Sequence, residues 1–312
     1  MDLQTLSDQF AIPGVLAFSQ NEQGLIRANI TTPACTAELY LQGAHLTQWQ
    51  PTGQRPVLFL SERSFFTPGK AIRGGIPIIF PWFGARTATP EDPRTDGPSH
   101  GFARTSEWTL AFAALAGNDL HLTLTLGPSD ISRSLGYDQF ALAYEITLGT
   151  ELHIQLTVNN QGSTPLHFEE AFHTYFSVGD AQQISIIGLS DTDYLDKTDN
   201  FKKKHQTDPL LKLTGETDRP YLNTVVPVNI DDPVYKRRIT VDKAESKTTV
   251  VWNPWSALTA TLPDMAPDCW LTMVCIETAN VATNAITLPS GEQHTMEAHL
   301  FVQEFAPGYT PA

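Results

Sequence analysis

Four stretches of the sequence carry side chains that packing alone does not explain. FEEAFHTYF, residues 168–176, sets a histidine inside an aromatic run. Strand alternation puts Phe168, Phe172 and Phe176 on one face with Glu170 and Thr174, and Glu169, Ala171, His173 and Tyr175 on the other. The phenylalanine face calls for burial. His173 is then either an ordinary strand histidine tied to a neighbour or an acid aimed into a cleft. DCWLTMVCIETAN, residues 268–280, alternates Leu271, Met273, Cys275 and Glu277 against Trp270, Thr272, Val274 and Ile276. A carboxylate ending a run that is apolar on both faces is partly buried, which raises its pKa unless a cation or hydrogen bonds intervene. Such a group has a structural mate or a catalytic task. On this stretch alone the mate is the better reading.

In KAIRGGIPIIFPWFGAR, residues 70–86, Arg73 precedes Gly74 and Gly75. The two glycines let the backbone approach something closely, and the arginine offers an anion a planar fork of donors. A surface loop with an incidental arginine explains the stretch equally well. In PSHGFART, residues 98–105, His100 and Arg104 share an alternate face if Phe102 anchors the segment in the core. That pair suits a sugar hydroxyl or a phosphate, although such histidines often only bridge loops. HTMEAH, residues 294–299, is set aside: its histidines are five apart on a strand and point to opposite faces. The nine histidines show no other metal spacing, and no phosphate-cradling glycine loop precedes a helix. No metal and no cofactor are expected.

The elements that must position these residues are strands. FALAYEITLG and ELHIQLTVNNQG alternate cleanly about Gly149-Thr150, and WTLAFAALAGNDLHLTLTLG does so about Gly117-Asn118-Asp119. AELYLQG, QQISIIGL, VVPVNI, RRITVD, KTTVVWN and EQHTMEAHLFVQEF add further strands. Helix is scarce: LQTLSDQF forms a short one within an N-terminal segment of residues 1–20, and ERSFFTPGKAI is loop. This pattern predicts an all-β, antiparallel sandwich or barrel, with residues 1–312 forming one domain. The charged residues 198–217 read as an exposed excursion.

The chain carries 34 acidic and 20 basic residues, for a net charge of −14. That argues against nucleic acid and anionic membranes as partners, and an anionic ligand would need a local arginine cluster. Cys35, Cys269 and Cys275 show no zinc-like spacing or disulfide framework. The N-terminus lacks the basic and apolar regions of a signal peptide, and no apolar stretch has the length of a membrane span. A cytoplasmic monomer is expected.

In order along the chain, IRGGIPIIFPWFG, HGFAR, FHTYF, GETDRPY and MVCIE, followed by LPSGEQHTM, resemble the glucose-6-phosphate 1-epimerases. These form the hexose-6-phosphate mutarotase branch of the aldose 1-epimerase family. The resemblance runs from about residue 40 to residue 305. It implies a galactose mutarotase-like β-supersandwich whose concave face binds a sugar, and catalysis by a histidine–glutamate pair. By motif position His173 matches the general acid and Glu277 the general base. His100 matches a sugar-contacting histidine, Arg73 and Arg104 the arginines that hold the 6-phosphate, and Asp218 a carboxylate on sugar hydroxyls. Ser99, also a substrate-contacting position, stands where the family commonly has glutamine, and Trp82 replaces the glutamine of PQFG. Glu169 shares the face of His173 and is expected to raise its pKa.

The implied reaction interconverts the α and β anomers of a hexose 6-phosphate, glucose 6-phosphate first among them. The alternatives are a mutarotase of unphosphorylated aldoses, or a sugar-binding or sensor protein without catalysis. A glycosidase would need two spaced carboxylates, for which only Glu277 and Asp218 offer themselves.

Overall fold

The structure is a computed structural model that describes residues 1–89 and 92–306; residues 90–91 and 307–312 of the expected domain lie outside it. Two large antiparallel sheets dominate, one of nine strands and one of eight, beside smaller sheets of four and two strands. The alternating stretches become the hairpins expected of them. Phe140–Leu148 pairs with Leu152–Asn160, and Thr109–Ala116 with Asp119–Leu126, all within the nine-stranded sheet. Leu3–Phe10 is the short helix, with the Asp2 carboxylate accepting from the Thr5 N–H at its start. The fold is thus the all-β architecture that the alternation predicts.

The eight-stranded sheet carries the residues of interest. Its strands run Lys202–Gln206, Thr192–Asp196, Thr217–Leu222, Thr248–Asn253, Met273–Asn280, Glu170–Phe172 and Ile78–Ile79, and Tyr175–Ser177 also pairs with Met273–Asn280. One face packs on the nine-stranded sheet. There Phe172, Phe176, Val274, Ile276 and Val251 join Tyr144, Ile154, Leu156 and Leu300 in a single core. Phe172 and Phe176 are fully buried, each contributing roughly 2–3 kcal/mol of apolar burial. The phenylalanine face therefore anchors the sheet, and the alternate face is left for chemistry.

Two expectations are refined here. Residues 198–217 are mostly exposed, as expected, but they are structured: Lys202–Gln206 pairs with Thr192–Asp196 as the edge hairpin of the eight-stranded sheet, and Leu210–Leu211 joins the other sheet. The charges that suggested a solvated loop are cross-strand ion pairs, such as Lys203 with Asp193. In the second case, Cys269–Thr272 is a turn of 3-10 helix, so strand alternation begins at Met273 and does not extend to Trp270 and Leu271.

Candidate active site

His173 and Glu277 come from neighbouring strands. Phe172 lies opposite Thr278 and Tyr175 opposite Cys275, so the count runs without a slip and sets His173 opposite Glu277. The FHTYF strand is nevertheless broken at His173-Thr174. The Thr174 N–H turns back to the Phe172 carbonyl at 2.9 Å, while the His173 and Tyr175 N–H groups bond to Pro77 and Gly75 at 3.0 and 2.9 Å. The RGGIP segment therefore runs along this broken strand, which brings Arg73 to the same end of the sheet. The row continues across other strands, with Glu277 opposite Val250, and Cys275 opposite Trp252, itself opposite Asp218. Cross-strand partners share a face. His173, Tyr175, Cys275, Glu277, Trp252 and Asp218 therefore occupy the side turned away from the core.

The His173 Nε2 lies 3.4 Å from the Glu277 Oε1, with side-chain exposures of 9% and 1%. The imidazole is held flat between Tyr175, 4.8 Å away at 16°, and Phe83, 6.4 Å away at 14°. The Nδ1 of His173 and the Oε2 of Glu277 are buried without a hydrogen-bond partner.

Two arginines approach from loops. Arg73 donates from Nε to the Asp264 Oδ2 at 3.0 Å and from Nη1 to the Tyr175 hydroxyl at 3.1 Å. The close approach that Gly74 and Gly75 permit is to protein. A Cβ on Gly74 would lie 2.5 Å from the Phe59 carbonyl oxygen, and one on Gly75 would lie 2.2 Å from that of Leu46. His45, wholly buried, braces this loop with its Nε2 2.7 Å from the Gly74 carbonyl; burial pushes its pKa down to about 4, so it donates there as a neutral ring.

Arg104 stands in the 3-10 turn Ala103–Thr105, just after the buried Phe102, and donates to the Ser99 carbonyl at 2.7 Å. His100 and Arg104 are thus brought to the site by a tight turn, not by the strand alternation expected of them. Among the described residues Arg104 makes no ion pair with a carboxylate. Burial, with Arg73 alongside, pushes its pKa down to about 10, and it remains a cation at neutral pH. Ser99 itself is exposed and joins the group through its carbonyl.

The His100 Nδ1 accepts from the Gly84 N–H at 3.3 Å, so the neutral ring carries its proton on Nε2. Its ring meets those of Phe83 and His173 at 4.8 and 5.4 Å. Asp218 is paired with Lys197 at 2.8 Å. Trp82 points away from this cluster: its Nε1 donates to the Pro98 carbonyl, and Arg86 lies 4.5 Å over its ring, beside a separate cavity of about 430 Å³.

Charge is distributed unevenly. Burial first, then Arg104 and Arg73, holds the His173 imidazole well below its usual pKa range. Burial, then the neighbouring Asp218 charge, holds the Glu277 carboxyl well above its own. The pocket therefore disfavours the charged form of each group, imidazolium and carboxylate alike. Glu169 plays no part in this balance. Its oxygens accept the Phe83 and Ala282 N–H groups, each at 2.7 Å, so it clamps the loops instead of raising the His173 pKa. Among the described residues, the donor atoms of His173, Cys275 and Glu277 lie within 4.8 Å of one another, a set able to hold a divalent ion. Burial raises the Cys275 thiol well above its usual pKa, which keeps it protonated and a poor ligand.

Sequence reasoning missed Lys197, Asp264 and His45. Lys197 and Asp264 lie in charged loops with no local pattern, and His45 looks like any strand residue.

A strand-built imidazole–carboxylate pair on the outer face of a β-sandwich, ringed by cations and aromatic rings, has the chemistry of an acid–base enzyme acting on carbohydrate. The pattern of the family described as aldose 1-epimerase matches residues 27–300. A protein of Escherichia coli named "putative glucose-6-phosphate 1-epimerase" is 36% identical over 79% of this chain and 80% of its own length. One of the same name from Cenchrus ciliaris is 30% identical over 83% of this chain and 79% of its own. The crystal structure of a "putative mutarotase" from Salmonella typhimurium superposes with a TM-score of 0.87 at 32% identity, covering 95% of this chain and 96% of that one. The chain belongs to the aldose 1-epimerase family, and it is an isomerase with the mutarotase fold and activity of that family.

Proposed function

We propose that the substrate is a hexose 6-phosphate, glucose 6-phosphate first among them, and that His173 and Glu277 interconvert its anomers. The observation that carries the phosphate is the meeting of Arg73 and Arg104 beside Tyr175, with Arg104 free of any carboxylate among the described residues. Two guanidinium groups in an acidic chain form the local cationic site that a phosphate dianion needs. The names of the relatives support the same substrate.

In the reaction, Glu277 as carboxylate takes the O1 proton while His173 as imidazolium gives a proton to the ring oxygen. The C1–O5 bond breaks to leave an aldehyde. Rotation about C1–C2 presents its other face, and the two groups close the ring with their roles reversed. The phosphate prepares this state. Arg73 and Arg104 hold the His173 pKa down when the pocket is free, and a dianion between them offsets their charge. Binding therefore moves the shared proton from Glu277 towards His173, giving the ion pair that the reaction uses. His100, through Nε2–H, and Asp218 bind ring hydroxyls, and Ser99 orients Arg104 through its carbonyl. The protein acts as a single-domain monomer in the cytoplasm, which size-exclusion chromatography and fractionation test; among the described residues no helix is long and apolar enough to cross a membrane.

Anomer-exchange NMR on a panel of hexose 6-phosphates and the matching free hexoses tests this reading. Faster exchange of the phosphorylated sugars is expected. Equal kcat/KM for glucose and glucose 6-phosphate would remove the phosphate, and binding without exchange would leave only a sensor.

A further inference from the structure

Lys197 lies in the lysine-rich hairpin TDYLDKTDNFKKKHQ. Lys202 and Lys203 pair outward with Asp199 and Asp193, and the less exposed Lys204 pairs with the buried Asp196. Lys197 does otherwise. Its Nζ lies 2.8 Å from the Asp218 Oδ2 and 5.3 Å from the centre of the Phe83 ring, and the side chain is 23% exposed. The turn holding it is fixed by Asp196, whose Oδ1 accepts the Thr198 N–H and hydroxyl while its Oδ2 pairs with Lys204.

This ammonium faces a crowded set of groups. Glu277 is met by His173 from the neighbouring strand, by Cys275 on its own, by Asp218 two strands away and by Lys197 from the hairpin turn. Arg73, Arg104 and His100 stand around His173. The Asp218 charge makes ionisation of Glu277 harder in this low-dielectric pocket, and the Asp196 charge does the same to Asp218. Lys197 is the cation on their side, opposing that repulsion. An ammonium also has three donors. One is used on Asp218, which leaves an acceptor and donors side by side, the pattern that matches neighbouring hydroxyls of a sugar ring.

We propose that Lys197 is a further substrate-binding and positioning residue: with Asp218 it grips a pair of adjacent ring hydroxyls, and its charge lets Glu277 ionise next to Asp218. This rests on reading the site as an acid–base sugar site, but not on the 6-phosphate. Lys197→Met and Lys197→Arg test it, with KM for glucose 6-phosphate and glucose and the pH profile of kcat/KM as readouts. Lys197→Met is expected to raise KM about tenfold for both sugars alike, the loss of one charge-assisted hydrogen bond. Its acid limb moves to higher pH, because Glu277 then holds its proton more firmly, and Lys197→Arg returns the limb towards wild type. KM values within twofold for both sugars with an unmoved limb would overturn the proposal. A rise confined to the phosphorylated sugar would also overturn it, making Lys197 a phosphate ligand. Arg104→Ala measured in parallel keeps the two ideas apart: if it affects both sugars equally, the 6-phosphate falls while the Lys197 result stands.

Discussion

His173–Glu277 and His294–Glu170 are both imidazole–carboxylate pairs, and Glu170 lies only three residues before His173 in the sequence. In the second pair the His294 Nε2 sits 2.8 Å from the Glu170 Oε1, which also accepts from the Asn280 amide at 2.9 Å. Burial works to lower the His294 pKa, but the hydrogen bond and charge of Glu170 outweigh it and the net shift is upward. A buried carboxylate oxygen without a partner is common to both pairs, but in the first the atoms are 3.4 Å apart, the imidazole Nδ1 has no partner either, and cations surround the ring. A tight, amide-braced pair ties the strand Glu170–Phe172 to Gln293–Glu304. A loose pair beside arginines suits the proposed passing of a proton between two groups. The neighbours, not the residue types, decide which is structural and which reactive.

The contrast breaks most visibly on turnover. His173→Ala and Glu277→Gln should each lower kcat by about 10²–10⁴ with circular dichroism unchanged, since positioned acids and bases contribute on that scale. Full turnover in either variant would remove its role. Arg104→Ala or Arg73→Ala should raise KM for glucose 6-phosphate by roughly 10–100-fold, the worth of a charge-assisted contact, and KM for glucose by far less. His294→Leu should leave kcat within a few-fold at low temperature yet destabilise the fold by about 3 kcal/mol in urea titrations, because it strands a buried carboxylate.

The smallest effect sharpens the contrast through its sign. The His294 pKa is raised in the folded chain above the unfolded value of 6.5, so its contribution is full below that pH and fades as pH climbs through the folded value. The His173 pKa is depressed, so the unfolded chain takes up the extra proton and stability is lost as pH falls below 6.5. Urea midpoints of His294→Gln and His173→Gln across pH should therefore drift from wild type in opposite directions.

Much of this was legible in the sequence for a local reason. Alternation within one stretch separates Phe172 and Phe176 from His173, and Met273 and Cys275 from Val274 and Ile276, without knowledge of any partner. The register that sets His173 opposite Glu277 joins residues a hundred positions apart, and no local pattern encodes it; only the order of motifs along the chain suggested the pair. The break at His173-Thr174 was hidden because it depends on the 75–77 segment drawing backbone N–H groups outward. Lys197 was hidden because a lysine turned towards a pocket in a lysine-rich hairpin leaves no trace in composition. Glu169 misled because a shared face does not fix where a carboxylate points, and two loop N–H groups claim it.

The proposed base Glu277 stands on a hydrogen-bonded strand and the proposed acid His173 at a break between two strands that pair with it, whereas Arg73 and Arg104 hang from a loop and a single helical turn. The proposed reaction chemistry and anion preference thus belong to different side chains, although the segment that carries Arg73 also bonds the backbone at His173 and Tyr175. Replacing Arg73 and Arg104, with Asp264 that steadies the first, leaves the strand pairing and the core untouched. On the proposed reading, evolution or an engineer can therefore redirect this protein towards uncharged sugars by changing the two arginine side chains, with the buried backbone that carries them kept in place.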